Sequence, residues 1–227
     1  MKRVITALVA VLLALSLAAC GSGVETKKLA GTWTCTIDVT DRMNAAAEQA
    51  LGLSAADGAA KMPLQLVLTV TEDGAYTLRY DSDAVRTALD AYAAALHPAA
   101  VESVYAAAEE QGLSREEYDA AMEKAGITMD DMVAAIFAGV DEEELLSLLT
   151  GRSAAITGYC RAENGQLYLA DTAADLTETA DCLSYTLSDG TMTWTDAQGE
   201  LSSQLTEQEQ ELLRVPLTWT KRAEESK

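Results

Sequence analysis

From Gly31 onward the chain alternates, with Trp33, Cys35, Ile37 and Val39 on one parity and Thr34, Thr36 and Asp38 on the other. A period of two with one apolar face marks a half-buried strand, so Gly31 to Val39 is predicted as the first. The pattern returns with Leu64, Leu66, Leu68 and Val70, and again with Tyr76, Leu78 and Tyr80. Asp73-Gly74 between them supplies the positive φ of a tight hairpin. Keeping both apolar sets on one side requires a three-residue loop, Glu72-Asp73-Gly74, with a bulge. Further strands are predicted from Ala155 to Glu163, through Leu167 and Leu169, through Leu183, Tyr185 and Leu187, through Met192 and Trp194, and from Val215 to Lys221. Asn164-Gly165 and Asp189-Gly190 turn two of these pairs, the second as a two-residue loop.

Elsewhere the period is about 3.6. Asp41 to Leu51 reads as a helix, followed by a small-residue loop from Gly52 to Ala60. Between Ser82 and Arg152, Val85, Leu89, Tyr92 and Leu96 line one helix that His97-Pro98 is expected to interrupt, with Pro98 opening the next helix up to Gly112. Three later helix starts share one grammar: Leu113-Ser114 with Glu117, Ile127-Thr128 with Asp131, and Val140-Asp141 with Glu144. In each, a capping side chain faces an acidic residue three positions on. Gly126 and Gly151 are natural stops. A further short helix is expected from Thr206 to Leu213.

The tight connections follow the second, fourth and sixth strands, whereas the others are long. In an antiparallel meander, alternate connections lie at opposite ends, so all the elaboration is expected at one end. The predicted fold class is mainly β with an α insertion (α+β). An eight-stranded antiparallel barrel spans residues 30–222, with a helical insertion of about five short helices, residues 82–152, between its third and fourth strands. Residues 223–227 form a frayed tail.

Ahead of the barrel, Lys2 and Arg3 precede an apolar run from Val4 to Ala19 that is flanked as an export signal. It ends in Leu17-Ala18-Ala19-Cys20, which resembles the bacterial lipoprotein signal. The resemblance implies that residues 1–19 are removed and that Cys20 carries a thioether-linked diacylglycerol, with palmitate among its acyl chains. The protein would then be lipid-anchored to the cell membrane on its extracytoplasmic face. Residues 20–29 read as the lipidated cysteine and a flexible tether reaching some 30 Å at about 3.3 Å per residue.

Charge narrows the partners. Sixteen basic and 36 acidic residues give a formal net charge of −20 over 227 residues, and loss of Lys2 and Arg3 with the leader makes the mature chain more negative still. Such a surface repels phosphate backbones, so no nucleic-acid partner is expected, and it keeps an exported domain soluble.

The eight-strand meander, the Gly31-Thr32-Trp33 start and the one-sided long loops resemble the lipocalin-like group. In that family the Trp closes the barrel floor beneath a basic residue of the last strand. Here Trp33 and Lys221, the latter sharing parity with Leu217 and Trp219, match those barrel-closure positions. The chain is also similar to acidic, functionally uncharacterised lipoproteins of Gram-positive bacteria that begin with a Gly-Thr-Trp strand and carry a helical insertion between barrel strands. The insertion departs from ordinary lipocalins, which place their main helix after the last strand.

Candidate chemistry is sparse. His97 is the single histidine and adjoins a helix-breaking proline, which leaves no local base for a Ser-His-Asp or Cys-His arrangement. Cys35, Cys160 and Cys182 lack paired spacing, so no zinc site is expected. Cys35 reads as a small core residue, and Cys160 faces either way depending on whether the Asn164-Gly165 loop has two or three residues, which leaves a Cys160–Cys182 bridge open. Asp130-Asp131 and Asp141 to Glu144 sit in first helical turns, where the dipole already favours negative charge, rather than in a calcium loop. No catalytic residue, metal or cofactor is expected. Trp33, Tyr76, Tyr80, Tyr185, Trp194 and Trp219 share the inward parity, as core or as the wall of a cup for an apolar ligand. Val39, Leu64, Tyr80 and Leu183 would line its mouth under the helical insertion. The expected function is binding of an apolar small molecule or lipid; the alternative is a protein-interaction or envelope-structure module with a solid barrel.

Overall fold

The computed structural model describes residues 25–53, 61–137, 155–177, 180–196 and 211–223. The leader with Cys20, the loop at 54–60, the start at Val140-Asp141 with Glu144, and Gly151 lie outside them. Eight strands follow in order: β1 Gly31–Asp38, β2 Pro63–Val70, β3 Ala75–Tyr80, β4 Ile156–Glu163, β5 Gln166–Ala170, β6 Asp181–Ser188, β7 Thr191–Asp196 and β8 Leu217–Lys221. They form a closed antiparallel barrel in sequence order, with β8 returning to β1 through Trp33 opposite Lys221 and Thr34 opposite Thr220.

The turn residues set the registers. Thr71 N–H donates to the Ala75 carbonyl at 2.9 Å and Gly74 N–H to the Thr71 carbonyl at 3.0 Å, which frames the three-residue loop. Val70 consequently faces Tyr76, and Leu68 faces Leu78. Gly74 is at φ 89, and a Cβ there would run into the Cys160 carbonyl, so this turn admits only glycine. At the next hairpin Glu163 pairs with Gln166, leaving Asn164-Gly165 as a two-residue loop, and Ser188 pairs with Thr191 across Asp189-Gly190. The two-residue loop settles the orientation of Cys160: Ile156, Gly158, Cys160 and Ala162 are the buried positions of β4. Cys182 pairs with Tyr168, next to the inward pair Leu183 and Leu167, and therefore faces the opposite side of the sheet from Cys160. Among the described residues, Cys35, Cys160 and Cys182 are free thiols.

Two expectations fail here. The tether was expected to run to residue 29, yet residues 25–29 form a helical turn with Thr26 and Leu29 buried, so the folded domain starts earlier than residue 30. The last strand starts at Leu217 rather than Val215. Of the short helix expected at 206–213, residues 211 and 212 are helical and 206–210 lie outside the described residues.

The described residues of Met1–Cys35, Leu66–Tyr80 and Ala154–Lys227 form one compact unit, and those of Thr36–Gln65 and Asp81–Ser153 another. The second unit carries helices α1 Thr40–Leu51, α2 Ser82–Glu110, α3 Arg115–Ala125 and α4 Met129–Phe137. Its spine is α2, a single helix of 29 residues that continues through Pro98, contrary to the expected break. Proline removes one backbone hydrogen bond and crowds the preceding turn, at about 3 kcal/mol. Packing on both sides offsets that cost. Leu96 and Ala100, one turn apart across Pro98, are buried, Tyr92 donates to Asn44 Oδ1 on α1 at 2.8 Å, and His97 Nε2 lies 3.0 Å from Asp130 Oδ1 on α4. Leu53, Ala100 and Val133 share a small core with Met129 and Phe137. Arg115 binds Glu102 and Glu109 at 2.8 and 3.1 Å and lies 4.7 Å from the Tyr105 ring, tying α3 to α2.

The barrel interior as candidate functional site

The floor is built from both ends of the chain. Gly31, at φ 128, leaves the Lys221 side chain the space that a Cβ would take, and Lys221 Nζ lies 5.3 Å from the centre of the Trp33 ring. Trp33 is 1% exposed, and its indole N–H donates to the Leu29 carbonyl at 2.7 Å. Thr26, from the same helical turn, accepts from Ala162 N–H at 3.0 Å. Residues 25–29 are thus fastened at one end to the first strand and at the other to β4. Sequence patterning passes over them because five residues are too few to show a period; the one available signal is the helical spacing of Leu29 and Trp33.

Beyond the floor, the inward positions of β6, β7 and β8 form a connected wall. Met192 pairs with Trp219, Trp194 with Leu217, and Tyr185 with Trp194. The Trp194 and Trp219 rings lie 4.8 Å apart between centres, tilted by 47°. Both side chains are buried, and among the described residues neither indole N–H has a hydrogen-bond partner. A buried tryptophan normally finds a partner for its N–H, and leaving the donor unpaired costs about 1–3 kcal/mol. Here two such donors sit on neighbouring rings. No protein-family model, curated protein or solved structure matches the chain.

That geometry is apolar and weakly reactive. Burial pushes the Cys35 thiol up to about 11 and the Cys160 thiol to about 12, so neither supplies a thiolate nucleophile at neutral pH. Burial, with smaller pushes from the Glu25 carboxylate and Cys160, raises the Tyr185 phenol to about 12. One Glu25 carboxylate oxygen is itself buried without a partner among the described residues. His97 links two helices, Asp131 caps α4 by accepting from Thr128 at 2.7 Å, and Glu117 closes the capping box of α3 with Ser114. Among the described residues, no group of three or more His, Cys, Asp or Glu side chains converges as a metal site would need.

The four residues expected at the mouth are distributed between the units. Tyr80 and Leu183 belong to the first, where Leu183 is fully buried and Tyr80 half-buried; Val39 and Leu64 belong to the second and are both buried. Trp194 and Trp219 were expected only as inward aromatics. Their unpaired donors could not be read from the sequence, because pairing depends on which groups the barrel brings alongside them.

Proposed function

We propose that this chain is a non-enzymatic lipoprotein, held to the extracytoplasmic face of the cell membrane by a diacylglycerol-modified Cys20, whose lipocalin-like barrel binds an apolar small molecule or lipid. The observation that carries the binding reading is the apolar wall of β6 to β8 with two unpaired N–H donors set into it. Ligand pockets have this composition: mostly hydrophobic and aromatic side chains with a few placed polar groups. The anchor reading rests on Leu17-Ala18-Ala19-Cys20. Burial raises the Cys160 thiol and the Tyr185 phenol, and His97 is bonded to Asp130 on a helix, so these groups are not poised as nucleophile or base, which supports binding over catalysis.

A second reading, a solid barrel serving as the stem of an envelope or interaction module, draws on the large residues that are fully buried inside the strands, among them Trp33, Trp219, Met192 and Leu183. Titration with a lipophilic fluorescent probe separates the two. Saturable uptake of one probe per chain, lost on heat unfolding, supports the binding function. No uptake by a folded chain supports the stem.

A further inference from the structure

We draw no further inference here: the strongest candidate, the group of exposed lysines Lys27, Lys28 and Lys221 at the barrel floor, stands beside the exposed Glu72, Asp73 and Asp189 of hairpin turns at the same end, which offset its charge, and nothing in the structure shows what covers it.

Discussion

At the scale of the residue, the Trp33–Lys221 pair shows how one contact can hold two interactions of unequal weight. The Trp33 N–H is buried and bonded to the Leu29 carbonyl, whereas Lys221 is exposed and its ammonium stays near water. Trp33→Phe should therefore cost about 1–3 kcal/mol from the lost bond alone, and Lys221→Ala no more than about 1 kcal/mol. Chemical denaturation of both variants checks this, and equal losses would refute the ranking. The buried thiols give a pH dependence. Their folded pKa values lie above the ordinary value of about 9, so the stabilisation of the neutral thiols is complete below pH 9 and is lost as pH rises through 11 to 12. Melting temperature should fall over that window, less steeply in Cys160→Ala. In the folded Cys20→Ser chain, a thiol reagent at pH 8 should label Cys182, the one partly exposed cysteine, and reach Cys35 and Cys160 only on unfolding.

At the scale of the element, most of the strands were legible because their information is local. Asn164-Gly165, Asp189-Gly190 and Asp73-Gly74 each carry a turn requirement that fixes which parity faces inward, and the alternation on either side agrees with it. Where the structure departs from the pattern, the deciding information is tertiary. Pro98 reads as a helix boundary in any local scheme, yet Leu96 and Ala100 are both buried and hold α2 continuous across it. If so, Pro98→Ala restores a hydrogen bond to the carbonyl of Ala94 inside a helix and should stabilise the chain by about 1–3 kcal/mol. Were Pro98 the first residue of a separate helix, the same substitution would be neutral or destabilising. Thermal unfolding followed by circular dichroism at 222 nm distinguishes the two. The turn at 25–29 was missed for the converse reason: it is held by Leu29 and Thr26 contacts to distant strands and has almost no local signature.

At the scale of the whole molecule, a closed barrel with helices inserted in it was foreseeable from the order of tight and long connections. Its interior chemistry was not. The sequence places six aromatic residues on the inward parity without distinguishing a filled core from a binding cup, and it does not show that two of their N–H groups are left without a partner among the described residues. The proposed anchor belongs to this scale too, since it would decide where the barrel works. Cells fed labelled palmitate should incorporate it into the full chain, and Cys20→Ser should abolish the label. The most direct measurement is native mass spectrometry of the Cys20→Ser chain purified from a bacterial host, followed by solvent extraction. A mass increment of one apolar molecule per chain, recovered in the extract, is the expected result. A bare chain mass, together with no uptake of a lipophilic probe by the folded protein, would contradict a binding function and leave the barrel as a structural stem.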